Sequence, residues 1–422
     1  MLPKRSKTDI KTLVIASLGS SLEFYDFVIY VFFAQMIATI FFNTTSTISG
    51  LLISFSVFAS GYVARFVGGI IFSHFGDKRG RKNAFATTIL LMAAPTFMIG
   101  LLPTYSQAGL LASLLLISCR IIQGLAIGGE IPGAITFVYE HVLKSKRGLA
   151  CGILFCGTTI GTFLGSSVAA LCFAFMSSST LHSWGWRIPF LIGGVLGWIS
   201  AYIRRYLKET PLFLNLRKEH IKYPALNIIK AHKYKWLQSA SAIWAIAVAI
   251  SIYLLFLPTY LHVYDQFDSK KILMMNSLAV LMNAFLIMGA GKLSDIIGAR
   301  KMLNISLIIL IIGSYPIFAN FAPGNYTAIY LCYLFIGIAN AAGAASGIVL
   351  LAASFPTKIR YSGVALGYNL ALGVLGGFTP LIVTALIQYT GQKTAPAFYM
   401  MLVASIALIL SLLHKKGSDA LH

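Results

Sequence analysis

The sequence predicts an all-α membrane protein of 12 transmembrane helices in two six-helix bundles, with both termini cytoplasmic. Three observations carry that expectation. The first is composition: 422 residues, 58% hydrophobic and only 11% charged, with a mean hydropathy of +0.81. Such a balance excludes an ordinary soluble domain. The second is length: apolar runs of roughly 20 residues or more recur along the chain, enough to cross a hydrocarbon core about 30 Å thick. The third is one-sided charge. The net charge is +21, with 33 Lys and Arg. Nearly all fall before Leu13 or within 78–82, 144–147, 204–235, 292–301, 358–360 and 415–416. Arg187, Lys270, Lys271 and Lys393 fall on the other side, and Arg65 and Arg120 inside helices. That asymmetry marks cytoplasmic loops. A nucleic-acid binder would gather its charge on a folded domain, so no nucleic-acid partner is expected.

The chain divides in order. Predicted helix 1 covers 13–41, and a polar link at 43–49 leads to helix 2 at 51–75. Helices 3 to 6 follow at 84–102, 110–140, 149–176 and 187–206. The longest polar stretch, 207–235, is basic and contains Pro211 and Pro224, so it reads as a linker. Helices 7 to 12 are expected at 236–262, 272–293, 302–320, 326–354, 361–389 and 395–414. The units are therefore 1–206, a cytoplasmic linker 207–235, and 236–422.

An internal repeat supports the division. Gly76-Asp77-Lys78-Arg79-Gly80-Arg81-Lys82 follows helix 2, and Ser294-Asp295-Ile296-Ile297-Gly298-Ala299-Arg300-Lys301 follows helix 8. Both place Gly three residues after Asp, then basic residues. Lys146-Arg147-Gly148 corresponds in the same way to Lys358-Ile359-Arg360. Two halves of like topology put a substrate between them near the midplane.

Glu23 and Asp26 lie roughly 15 to 20 Å into the first helix, near the bilayer centre, on one helix face. Carboxylates at that depth need partners or a cavity and usually serve the movement of protons, ions or polar solutes. The ionisable residues well inside helices are Glu23, Asp26, Arg65, Arg120 and Glu130, all in the first half. Three acids against two arginines leave one carboxylate able to titrate without orphaning a partner. Arg65 is either a clamp for a substrate carboxylate or the partner of Glu130. Glu130, after Gly128-Gly129, is expected as a structural partner. The aromatics Tyr25 and Tyr30 on helix 1 and Trp244 and Tyr253 on helix 7 suit a quaternary ammonium, or simply pack. Asn340 and Asn369 line the cavity or bond between helices. The five cysteines sit in apolar segments without metal spacing, and no cofactor, metal or enzymatic constellation is expected.

At its loops the sequence resembles the major facilitator superfamily. The run Gly69-Ile70-Ile71-Phe72-Ser73-His74-Phe75-Gly76-Asp77-Lys78-Arg79-Gly80-Arg81-Lys82 is similar to that superfamily's cytoplasmic-loop motif, and Arg120-Ile121-Ile122-Gln123-Gly124 to its helix 4 motif. The resemblance implies a cytoplasmic gate of Asp77, Gly80, Arg81, Glu140, Arg147 and Glu209, with Asp295 and Arg300 as the counterparts in the second half. It also implies proton coupling through Arg120 with Glu23 or Asp26. Gly157-Thr158-Thr159-Ile160-Gly161 stands where many antiporters carry a proline-glycine signature, which favours symport. The match narrows to the metabolite:proton symporters. It rests on Leu22-Glu23-Phe24-Tyr25-Asp26-Phe27, on Gln123-Gly124 through Gly128-Gly129-Glu130, on Trp184-Gly185-Trp186-Arg187-Ile188-Pro189-Phe190 and on Lys208-Glu209-Thr210-Pro211-Leu212-Phe213. Phe355-Pro356-Thr357-Lys358-Ile359-Arg360-Tyr361-Ser362 is especially like the proline/betaine branch. Phe24 stands where that family usually has Trp. The expectation is a monomeric proton symporter of proline or betaine in a bacterial inner membrane. Its alternatives are a di- or tricarboxylate symporter and a membrane sensor or anchor without flux.

Overall fold

A computed structural model describes residues 17, 20, 21, 24–26, 28–44, 46–79, 81–204, 228, 233–356 and 359–413. The described residues form helices and turns, with no strand among them. In chain order, α1 is Phe24–Phe32 continued as Ala34–Phe42, α2 is Thr47–Arg79 and α3 is Arg81–Leu101. Then come α4 (Leu110–Ile127 continued as Glu130–His141), α5 (Arg147–Phe175) and α6 (Arg187–Arg204). After 233 come α7 (Trp236–Asp265), α8 (Ser269–Ile297) and α9 (Ala299–Ala319). The last are α10 (Tyr326–Ala353), α11 (Arg360–Thr390) and α12 (Ala395–Leu413). Among the described residues, 9 helices are long and apolar enough to cross a membrane, or 10 if the bent α1 counts as one span. Shorter apolar stretches, Leu90–Leu101 and Arg187–Tyr202, lie in α3 and α6. Apolar side chains face both inward and outward, as a lipid solvent permits: Leu110, Ile312 and Leu402 are exposed while Val248, Leu257 and Ile329 are buried.

Four of the predicted helices are less regular than their apolar runs imply. α1 breaks at Phe33 (φ −103°, ψ 10°). α4 is two helices, Leu110–Ile127 and Glu130–His141, separated at Gly128-Gly129. α7 and α11 each contain a π-helical stretch, Ser251–Phe256 and Asn369–Gly376. Hydropathy does not register these breaks, because the one or two less apolar residues at each, such as Ser251, Asn369 and Gly128-Gly129, do not interrupt a long apolar run. π segments recur at functional sites, and here the two are joined, Ser251 donating to the Gly376 carbonyl at 3.0 Å.

Glycines let the backbones touch. A Cβ on Gly124 would overlap the carbonyl of Gly61, and one on Gly128 would overlap the backbone of Arg65 and Gly69, so α2 lies directly on α4. Gly148 of α5 and Gly291 of α8 exclude each other's Cβ in the same way. Close approach through small residues is the usual basis of helix association in lipid, where burying apolar surface gives no drive. Valine at position 124 has no room to relax, because the obstacle is main chain. Gly124→Val should therefore cost about 1–3 kcal/mol, read as a clear fall in Tm of the detergent-purified protein by scanning fluorimetry.

Candidate functional site

Arg65 of α2 is fully buried. Its Nε donates to Asn369 Oδ1 of α11 at 3.0 Å. Its guanidinium carbon lies 5.2 Å from the Tyr368 ring centroid and 5.9 Å from that of Tyr62. Nη1 and Nη2 are enclosed and make no hydrogen bond among the described residues, and Arg65 has no ion pair among them either. The pairing with Glu130 is therefore not made. A buried guanidinium with two unbonded donors can take a carboxylate in a bidentate pair. The same Asn369 donates through Nδ2 to the Gly128 carbonyl at 2.6 Å. That carbonyl is available because α4 is interrupted at Gly128-Gly129, and Tyr361 of α11 takes the next one, its hydroxyl donating to Gly129 O at 2.9 Å.

Arg120 of α4 lies over the Tyr30 ring, 4.4 Å from its centroid, and 5.4 Å from that of Phe58. Its Nη1 donates to Gln123 Oε1 at 3.0 Å, and Gln123 Nε2 donates to Thr96 Oγ1 at 2.6 Å. Tyr30 is thus engaged with Arg120, and its hydroxyl donates to the Ser54 carbonyl at 3.1 Å.

Asp26 is 1% exposed, and its Oδ1 has no hydrogen-bond partner. It makes no ion pair among the described residues. Its carboxyl group lies over Gly193 and Gly197 of α6, beside Thr96 and Ala93 of α3; a Cβ on Gly197 would come 3.3 Å from Oδ2. Asp26 therefore occupies a wedge of α1, α3 and α6, rather than the neighbourhood of Arg65. Thr96, at that wedge, is also the end of the hydrogen-bonded chain from Arg120. Tyr25 ties α1 to α6, its hydroxyl donating to the Pro189 carbonyl at 2.8 Å.

The C-terminal helices hold a second buried polar cluster. Tyr253 donates to the Tyr333 carbonyl at 2.6 Å, and Tyr333 donates to Asn276 Oδ1 at 3.1 Å. Asn276 reaches Ser166 of α5 at 3.0 Å, and Ser166 shares a 2.8 Å bond with Ser277. Asn340 donates to Asn283 Oδ1 at 3.1 Å, and Asn283 to the Gly337 carbonyl at 2.9 Å. Tyr253 and Asn340 thus bond between helices rather than to Arg65, and Trp244 lies beside Tyr399 of α12. Asn276, Asn283 and Tyr333 were not picked out by sequence reasoning, although amides in apolar runs were the available signal.

At the end that carries the 4–5, 8–9 and 10–11 connections, the two sets of helices are joined. Asp295 of α8 accepts from Gly148 N at 2.7 Å and Leu149 N at 2.9 Å, so a carboxylate caps the N-terminus of α5. Glu140 of α4 pairs with Arg360 of α11 at 2.5 Å. Tyr139 lies between two arginines, with Arg147 3.9 Å and Arg360 5.1 Å from its ring centroid, and Arg147 also donates to its hydroxyl at 2.9 Å. The resemblance places Glu140 in a network with Arg81 and Arg147; its observed partner Arg360 lies in the loop Lys358-Ile359-Arg360 that corresponds to Lys146-Arg147-Gly148 in the repeat. Arg300 is half-buried in the first turn of α9, and Glu130 is buried in the first turn of α4's second segment. Glu23, Gly80 and Glu209 lie outside the described residues, as do the side chains of Asp77 and Arg81.

Comparison with known proteins agrees with this architecture. The Sugar (and other) transporter family profile matches residues 12–226, and the Major Facilitator Superfamily profile matches 266–420. The proline/betaine transporter of Escherichia coli (strain K12) is 30% identical over 421 residues, 97% of this chain and 84% of that one. A Staphylococcus aureus (strain MSSA476) protein, provisionally given the same name, is 31% identical over 96% of this chain and 88% of its own. Among solved structures, the proton:xylose symporter XylE bound to 6-bromo-6-deoxy-D-glucose superposes with a TM-score of 0.78, at 16% identity, over 96% of this chain and 94% of that one. A partially occluded, inward-open form of the E. coli xylose transporter gives 0.75 at 17% identity, covering 96% and 97%. With its helical fold, its family profiles and relatives at this level over nearly its whole length, the chain belongs to the major facilitator superfamily of membrane transporters.

Proposed function

We propose that the protein is a proton-coupled symporter that imports a small zwitterion, proline or glycine betaine, by alternating access. In this reading it has 12 spans in two six-helix halves, with both termini cytoplasmic, and works as a monomer in a bacterial inner membrane. The observation that carries the substrate class is Arg65: a buried guanidinium with two unused Nη donors between Tyr62 and Tyr368. The donors suit a carboxylate and the rings suit an alkylammonium. The names of the relatives point to the same substrates. A di- or tricarboxylate would need a second clamp, and Arg120 is already engaged with Tyr30 and Gln123.

Asp26 is the proton carrier in this scheme. An ionised carboxylate without a cation or a full set of donors is costly at that depth, so protonation eases any movement that keeps it dry. Glu23, three residues earlier in the sequence, is its companion, and the chain Arg120–Gln123–Thr96 links the wedge to the centre. The joints made by Asp295 and by Glu140 with Arg360 are the closed cytoplasmic gate, with Asp77, Gly80, Arg81, Arg147, Glu209 and Arg300 as further members. Release of substrate inside requires these joints to part.

The primary test is uptake into proteoliposomes under an imposed proton gradient, comparing labelled proline and glycine betaine with α-ketoglutarate and citrate. Concentrative uptake of the zwitterions, collapsed by a protonophore, is expected; uptake of the carboxylates alone would overturn the substrate class. Asp26→Asn should abolish gradient-driven accumulation while proline counterflow persists within about tenfold of the unmodified protein. Retained accumulation would remove Asp26 from the proton path.

The gate is tested separately. Asp295→Ala strands two backbone amides, a cost of roughly 1–3 kcal/mol each. It should therefore speed N-ethylmaleimide alkylation of Cys151, which is buried close to Asp295 and Arg147, by at least several-fold as read by peptide mass.

A further inference from the structure

Asn369 is the one side chain of α11 that binds both Arg65 and the interrupted α4. Both ends of its amide are engaged, Oδ1 accepting from Arg65 Nε and Nδ2 donating to Gly128 O. Arg65 is not fully used, and no anion accompanies it among the described residues. Its Nη atoms are enclosed, so a carboxylate reaches this guanidinium only if a neighbouring group gives up its place. The group already bonded to the guanidinium is the carbonyl oxygen of Asn369, a neutral acceptor where a charged, bidentate one would bind more strongly.

We infer that Asn369 is a placeholder for the substrate's carboxylate, so that substrate binding at Arg65 is also the event that unlatches α11 from α4. This rests on Arg65 as the carboxylate site proposed above. When a carboxylate takes the Nε–Nη edge of Arg65, Asn369 loses its acceptor role and its position over Gly128. The α4 carbonyl then loses its donor, and Tyr361 at Gly129 and Glu140 with Arg360 are left to hold the joint. The exchange links occupancy to opening because the ligand binds better to the state in which Asn369 has moved. It also explains why an amide stands at this position: alanine would leave the latch unmade, and aspartate would neutralise Arg65 permanently.

The test uses the full-length protein in nanodiscs with two readouts. Without any substrate, Asn369→Ala should raise the rate of Cys151 alkylation about tenfold over the unmodified protein; an unchanged rate overturns the latch. In equilibrium binding of labelled proline, Asn369→Ala should bind as tightly as the unmodified protein or tighter, and Asn369→Asp at least tenfold more weakly. A residue that merely props two helices together would weaken both variants alike, and that result overturns the placeholder. Asn369→Ser replaces the alanine variant if the latter is not monodisperse. If the unmodified protein binds neither proline nor glycine betaine, the substrate assignment fails, while the substrate-free alkylation still decides the latch.

Discussion

A guanidinium shut away from water, with no counter-ion beside it among the described residues, is the constraint around which the centre of this protein is arranged. Charge in such a place must be spread over whatever polarisable or dipolar groups lie near. Around Arg65 these are two tyrosine rings and one amide oxygen. Aromatic faces serve well here because they stabilise a cation without fixing it to one partner. Arg65 is thus held without being fixed to a single charged partner among the described residues.

The second organising feature is contact between backbones. Gly61 with Gly124, Gly68 with Leu125, and Gly148 with Gly291 bring main chains together where side chains would keep them apart. At Gly128-Gly129 the same smallness has a further effect. The helix is interrupted, and two carbonyls that would be consumed inside it become acceptors for Asn369 and Tyr361. A helix interruption inside a membrane is tolerable only when another part of the protein satisfies it, so the break in α4 and the polar face of α11 require each other.

Much of this was legible in the sequence, for reasons that can be named. Span positions follow from hydropathy, and the Asp295 joint was foreshadowed by its place in the repeated loop. Arg65 and Arg120 stood out because charge is rare in apolar runs. The partners were not legible. Nothing in the spacing of Glu23 and Asp26 says that Asp26 turns toward Gly193 and Gly197 of α6, since that depends on which helices pack beside α1. The sequence leaves Tyr25, Trp244 and Tyr253 open between a cage and packing, because aromatic residues are common throughout the chain; Tyr25 and Tyr253 make interhelical bonds and Trp244 lies beside Tyr399. The cluster of Asn276, Asn283 and Tyr333 escaped notice because each is a single polar residue in an apolar run, and the cluster forms only when α8 and α10 come together. The breaks in α1, α4, α7 and α11 leave hydropathy untouched.

The joint between Asp295 and α5 has a consequence for how such a protein can change over generations. The carboxylate is received by the main-chain amides of Gly148 and Leu149, and position 148 has no room for a Cβ beside Gly291 and Asp295. A gate built from two side chains can drift by paired substitutions, each compensating the other. This joint depends on a carboxylate at 295 and a glycine at 148 together, and neither can change without losing it, whereas at Glu140 and Arg360 both partners are side chains and can change as a pair.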